Sequence, residues 1–373
     1  MRNRVLAFLG FAAGLSAAIC FIGCSSHQAK PQVESQAKFT PTATGTPPAA
    51  DPHKAPAPDA VKLSQIREKA LQVIEESAAS QDGQVRGYAC EGASLVPNRL
   101  GGILLKGLDD PMPGVKAMAA IASGRSKYQP AAAKAGSLTN DPSPFVRISA
   151  IYTLSKLGKQ IDPSPLAGYL TGSEPLPVRS QSAWVIGEIG NRSALPMLRA
   201  AAIENIARSR PLEIQIFQLQ CGEARVKLGD NEPIEGIRAA LFPARPEDFE
   251  TAVLAVQIIG EVKDARSMDQ LIYLSEYRDG RGNPMPAEFR LACATAIAKL
   301  GLDRGAFLAD EYAKDPNPTI RQQAASVYGY TAKPEHFPTL EAMMNDPSPM
   351  VRVVAASSVI RAHARLTGER LPG

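Results

Sequence analysis

Histidine and cysteine are scarce in this chain: four and five residues among 373. Neither type falls into the close pairs that hold zinc, and the cysteine spacing builds no disulfide framework. Tryptophan occurs once, and aromatic residues make up 6%. A strong excess of one charge is missing too, since 41 Lys and Arg stand against 37 Asp and Glu, a formal net charge of +4. So thin an excess supplies no basic stripe of the kind that tracks nucleic-acid phosphates. No nucleophile-elbow sequence occurs. Gly101-Gly102 lies inside a helical pattern rather than after a strand, which excludes a phosphate loop. What the chain has in abundance is proline, 31 residues where ~5% usage would give about 19. Those prolines fall into two separate patterns.

The N-terminus carries Arg2 and Arg4, then an unbroken run of apolar and small residues from Val5 to Ile22. A basic start before an apolar stretch is the pattern of an export signal. The run ends Phe21-Ile22-Gly23-Cys24. That ending resembles the lipobox of bacterial lipoproteins, in which a small residue precedes a cysteine that is acylated before cleavage. The resemblance implies lipidation at Cys24 and removal of residues 1–23. Phe21 departs from it, because that position is more often Leu. The alternative is an uncleaved membrane anchor, since the run approaches the ~17–25 residues that span a bilayer. Both place the rest of the chain outside the cytoplasm on a tether. Ser25 rather than Asp follows the cysteine, and the resemblance to bacterial lipoproteins then implies the outer membrane rather than the inner.

Residues 24–62 read as a disordered tether. Pro31, Pro41, Pro47, Pro48, Pro52, Pro56 and Pro58 lie there, and large apolar residues are nearly absent. Such a segment cannot bury enough surface to offset its ordering entropy.

The other prolines recur in register. Asp110-Pro111-Met112-Pro113-Gly114-Val115-Lys116 is followed by Asp141-Pro142-Ser143-Pro144-Phe145-Val146-Arg147. Asp315-Pro316-Asn317-Pro318-Thr319-Ile320-Arg321 is followed by Asp346-Pro347-Ser348-Pro349-Met350-Val351-Arg352. A fixed period of about 31 residues in both pairs means a stacked repeat. Within a copy, Ser143 is placed to cap a helix and Pro144 to occupy its first position, where a missing N–H is harmless. Val146, Ala150, Leu154 and Leu157 form one stripe, and Gly158 ends the helix. The same glycine ending is expected at Gly190, Gly229, Gly260 and Gly301. Shorter apolar helices lie between, such as 97–108, 194–206, 267–277 and 339–345.

This arrangement resembles the HEAT-repeat family, whose second helix opens with Asp-Pro-x-Pro-x-Val-Arg. The resemblance implies an all-α fold over residues 63–366, an α-solenoid of about nine antiparallel helix pairs, with a short tail at 367–373. The second helices are expected near 84–94, 113–123, 144–157, 177–189, 211–228, 247–261, 286–300, 318–331 and 349–365. The family also implies a ladder in which the Asp of one turn meets the basic residue of its neighbour. Asp110, Asp141, Asp315 and Asp346 with Lys116, Arg147, Arg321 and Arg352 fit it. Ser173 breaks the pattern before Arg179.

Nothing in the sequence assembles a catalytic, cofactor or metal site. Cys90, Cys221 and Cys293 occupy small-residue helix positions and read as buried hydrophobes. Trp184 reads as core. The departures from regularity are the segment 275–286, with Arg278, Arg281 and two glycines, and the segment 241–248, with Arg245 between prolines. Arg208 and Arg210 precede the fifth unit's second helix. Insertions in such stacks often bind, so Arg245, Arg278 and Arg281 are the candidate partner contacts. The expected function is a lipid-anchored envelope scaffold that binds protein partners, not nucleic acid, on a large concave face. The alternatives are an enzyme with a cryptic site on that face and a passive envelope spacer.

Overall fold

The computed structural model describes residues 59–372 apart from 205, 207, 208, 244, 246 and 247. Among these residues are eighteen α-helices, arranged as nine pairs. The first members are α1 (Ala60–Ser77), α3 (Pro97–Leu108), α5 (Ala132–Leu138), α7 (Ser164–Thr171), α9 (Leu195–Ala202), α11 (Ile234–Ala239), α13 (Met268–Glu276), α15 (Ala306–Tyr312) and α17 (Phe337–Met343). The second members are α2 (Gly83–Ser94), α4 (Pro113–Arg125), α6 (Pro144–Lys156), α8 (Leu176–Ile189), α10 (Pro211–Lys227), α12 (Phe249–Val262), α14 (Ala287–Lys299), α16 (Pro318–Thr331) and α18 (Pro349–Thr367).

The second helices form a continuous inner layer, each packed on the next, and the first helices cover them from outside. The layer does not end. Helix α18 packs on α16 but also on α1 and α2, so the stack closes into a ring. One hydrophobic cluster runs through the closure, joining Ile66, Ile74 and Ala89 to Val353, Val359 and Ile360. Lys62 pairs with Glu341 at 3.1 Å and Arg67 with Glu369 at 3.5 Å across the same seam. The open concave face expected from the repeat pattern is therefore the wall of a lumen.

The inner layer explains so tight a curvature. A Cβ added to Gly187 of α8 would stand 2.7 Å from the Ala224 Cα of α10. The corresponding approaches are Gly124 to Thr153 Cα at 2.9 Å, Gly260 to Ala296 Cα at 3.2 Å and Gly329 to Ser358 Cα at 2.9 Å. Backbones this close shorten the inner circumference relative to the outer one. The contact recurs at every second interface, so α4–α6, α8–α10, α12–α14 and α16–α18 are tight couples. At the seam, Gly92 makes room for a side chain rather than a backbone, Ser357 Oγ lying 2.6 Å from where a Cβ would stand.

The proline turns are built differently from the sequence expectation. Ser143 sits at the N-cap of α6, but its side chain makes no capping bond. The preceding aspartate does the work: Asp141 Oδ1 accepts from Ser143 N at 2.9 Å, and Asp110, Asp315 and Asp346 accept likewise from Met112, Asn317 and Ser348. The ladder connects successive turns. Arg86 donates two bonds to Asp110 (2.7 and 2.9 Å), Lys116 one to Asp141 (2.7 Å) and Arg321 two to Asp346 (both 2.8 Å). Arg321 also donates to the Asp315 and Pro316 carbonyls of its own turn, clamping two turns at once. Where the motif decays, glutamate substitutes: Arg179 reaches Glu204, and Arg290 reaches Glu311 at 2.9 Å. Arg147 has no acidic partner in the next turn and bonds Tyr169 Oη at 2.5 Å instead.

Gly158, Gly190, Gly229 and Gly301 hold positive φ after their helices, as expected. Gly260 does not. It lies inside α12, where it is a packing glycine, and Lys263 takes the left-handed position with φ 55°. A side chain there costs ~1–2 kcal/mol relative to glycine. Lys263→Gly is expected to raise stability by about 1 kcal/mol and Gly301→Ala to lower it by a similar amount, read from denaturant midpoints.

Candidate functional site

Ring closure gives seven inner helices one equivalent position. In each, the residue two places before the left-handed residue points into the lumen. These are Arg125, Lys156, Glu188, Lys227, Glu261, Lys299 and Tyr330, ahead of positions 127, 158, 190, 229, 263, 301 and 332. Glu91 of α2 and Arg361 of α18 complete the belt. The left-handed residue fixes where each helix ends, and so fixes which side chain its last turn turns inward. Nine helices at the ~8–10 Å spacing of packed helices make a ring roughly 26 Å between opposite axes, or ~15 Å free before side chains reach in.

Most of the belt is joined edge to edge. Lys156 meets Glu188 at 3.3 Å, and Lys227 meets Glu188 at 2.7 Å and Glu223 at 2.6 Å. Lys299 pairs with Glu261. Aromatic faces back the cations: Lys227 lies 5.6 Å from the Trp184 ring centroid, Lys299 5.1 Å from that of Tyr330, and Arg361 4.5 Å from the same Tyr330 centroid. Trp184 is 1% exposed, and its ring centroid lies 5.2 Å from that of the buried Tyr152, the two tilted by 37°.

The titrations follow from this enclosure. Burial pushes Glu91 up to about 7, against the pull of Arg361 and Arg125 and with a push from Glu261 across the lumen. Burial also raises Glu223, although Lys227 opposes it. Burial would raise Glu188 and Glu261 as well, but Lys227 with Lys156, and Lys299, outweigh it and hold both below the usual carboxylate range. Burial pushes Tyr152 up to about 12.

The residues singled out from the sequence lie elsewhere, on the rim where first helices turn into second helices. Arg278 and Arg281 share one ordered loop, both exposed. Asp279 organises it, accepting from Arg281 N (2.9 Å), Asn283 N (2.8 Å) and Asn283 Nδ2 (3.0 Å), while Gly282 adopts φ 83°. Arg278 Nη1 donates to Gly282 O at 3.0 Å. Arg245 lies in the neighbouring unit's loop, its guanidinium on Asp248 at 3.0 and 3.2 Å. Exposed aromatics lie near these loops: Phe242 is 48% exposed, and Tyr273, in the last turns of α13, meets Tyr277 at 5.6 Å with the rings tilted by 57°. A cleft of about 450 Å³ opens beside Arg245, lined by Leu219, Ile237, Ala240 and Phe242. Arg210 pairs with Glu213.

Cys24, the signal segment, residues 24–58 of the tether and Arg208 lie outside the described residues; the expected end of the tether at 62 is corrected, because Asp59 caps α1 and residues 60–62 form its first turn. Cys90, Cys221 and Cys293 are free and buried, and burial pushes the first two thiols up to about 12 and the third higher. Among the described residues no group of His, Cys, Asp and Glu is placed to hold a metal ion, and no helix is long and apolar enough to cross a membrane.

Residues 103–181 match the HEAT repeats family, and residues 178–204 match the PBS lyase HEAT-like repeat. Among solved structures, the chain is similar to a chain of the phycocyanin lyase complex from Nostoc sp., at 16% identity over 73% of this chain and 99% of that one, TM-score 0.40. It is also similar to human deoxyhypusine hydroxylase, at 17% identity over 72% and 98%, TM-score 0.35. Among curated proteins none matches. Likenesses of this size carry neither activity nor partner to this chain.

Proposed function

This chain is a HEAT-repeat protein, and from that premise we propose that it is a lipid-anchored scaffold of the cell envelope, binding protein partners rather than catalysing a reaction. Acylated Cys24 attaches it to a bilayer, with the outer membrane favoured over the inner, and the tether holds the ring away from the surface. Several acyl chains anchor firmly, at ~0.8 kcal/mol per buried CH₂. The observation that carries the reading is the rim of the sixth and seventh units. There Arg245, Arg278 and Arg281 stand beside the exposed side chains of Phe242, Tyr273 and Tyr277. Arginine and aromatic residues dominate the energetics of protein interfaces. A closed ring leaves its rims and outer face as the surfaces broad enough for a folded partner.

Two experiments test this. Cross-linked capture from membranes should recover a preferred partner, and Arg278→Ala with Arg281→Ala should reduce its yield about tenfold or more without moving the thermal melt. Unchanged capture would remove the loop from the interface. Cys24→Ala should abolish lipid labelling and release the protein from membranes. Labelling that persists overturns the Cys24 assignment.

A further inference from the structure

The lumen belt divides into two unequal arcs. From α6 to α14 its charges cancel by contact: Lys156, Lys227 and Lys299 against Glu188, Glu223 and Glu261. The remaining arc, α18–α2–α4, spans the seam and holds Arg361, Glu91 and Arg125. Among the described residues no carboxylate lies within 4.0 Å of either arginine, and no cation lies that close to Glu91. Two guanidinium groups facing one carboxylate leave this arc with a surplus positive charge inside a narrow enclosure.

The side chains are suited to more than storage of charge. The lysines of the neutral arc are replaced here by arginines, whose planar fork grips a carboxylate by two parallel bonds and cannot be deprotonated. Arg361 lies over the Tyr330 ring, 4.5 Å from its centroid. On the other flank, burial opposes the charge of Arg125, while Tyr152 and Glu91 favour it. All three charged residues of the arc are partly exposed. The lumen wall is tall, ~18–28 Å for helices of this length, and too narrow for a folded domain. An anionic group reaches the arc only as a small ion or on a single extended chain. An extended chain also gains contact along the wall, where Gln84 and Tyr88 precede Glu91 by two turns and one turn on α2.

We propose that the seam arc, Arg125 and Arg361 about Glu91, is a binding site for an acidic polypeptide segment threaded into the ring. This rests on the scaffold reading and adds the chemistry of one partner element.

The test is calorimetric titration of the full-length protein with a hexaglutamate peptide, with hexaglutamine and inorganic phosphate as comparison ligands. Hexaglutamate is expected to bind and hexaglutamine not. Arg125→Gln with Arg361→Gln should weaken hexaglutamate at least about tenfold, and the Lys pair at the same positions should recover part of the loss. Glu91→Gln removes the opposing charge while leaving both arginines, and should strengthen binding about threefold or more. It covers the case in which the double variant fails to fold. Phosphate binding as tight as the peptide would overturn the polypeptide assignment, and absence of peptide binding would overturn the site. If Arg278→Ala with Arg281→Ala, and not the lumen pair, abolishes peptide binding, the site is on the rim: the inference fails while the scaffold reading stands.

Discussion

Ending the chain at Ala332, which removes α17 and α18, should abolish cooperative folding altogether. In an open stack, removal of a terminal pair costs one interface and leaves the other units intact. Here α18 touches α16 on one side and α1 and α2 on the other. Val351, Val353, Val359 and Ile360 are all at most 1% exposed. At ~1.5–3 kcal/mol for each fully buried side chain, these four alone amount to about 6–12 kcal/mol, before the loss to Ile66 and Ile74, which they help to cover. That equals the whole ~5–15 kcal/mol margin of a typical protein. The check is a circular dichroism melt with sedimentation of the truncated chain. A folded, monomeric eight-pair protein melting within a few degrees of the parent would show that the seam contributes nothing. The same geometry predicts that a circular permutant with joined ends and new termini at Gly280 remains folded, because a ring has no obligatory first unit.

The repeat itself was legible, and the reason is local. Pro97–Leu108 and Pro318–Thr331 are helices with the bounds their prolines and periodicity predict. Even α10 and α12, without the Asp-Pro signature, lie within two residues of the bounds that apolar spacing predicts. Closure was not legible in the same way. Curvature is a small angle per unit that accumulates over nine units, and no single residue encodes it. Two signals did exist. An open stack needs polar end caps, yet the outward faces of the first and last units carry Ile66, Ile74, Val353 and Ile360. The second signal is the glycine placed just before the belt residue in every other inner helix, Gly124, Gly187, Gly260 and Gly329. Taking Gly260 for a helix stop concealed it. The belt was missed for a related reason: on an open concave face, Lys156 or Glu188 would be an ordinary solvated residue. It becomes part of a site only when the ninth unit meets the first.

The strongest single substitution should be Lys227→Met. Its ammonium bridges Glu223 and Glu188 at 2.6 and 2.7 Å and covers the Trp184 ring. Methionine keeps the apolar stem and leaves two carboxylates facing each other, of which Glu223 is 1% exposed. Breaking one side of a buried pair costs ~3–5 kcal/mol, because the remaining charge has no compensation. The loss should depend on pH in a defined direction. Burial already raises Glu223 with Lys227 present, and removal of the cation raises it further. A carboxyl whose folded-state affinity for protons exceeds its unfolded one destabilises above its folded pKa, and the penalty fades as pH falls toward the unfolded value near 4.3. The gap between Lys227→Met and the parent should therefore be widest near pH 8 and shrink toward about pH 5. Adding Glu223→Gln should recover much of the loss and flatten the pH dependence, since a neutral amide can remain buried with its bonds made. Urea unfolding of the parent, both single variants and the double variant at the two pH values closes the cycle. A loss below about 1 kcal/mol with no pH dependence would mean that the two carboxylates are hydrated, and that water, rather than the neighbouring lysine, compensates charge at this level of the lumen.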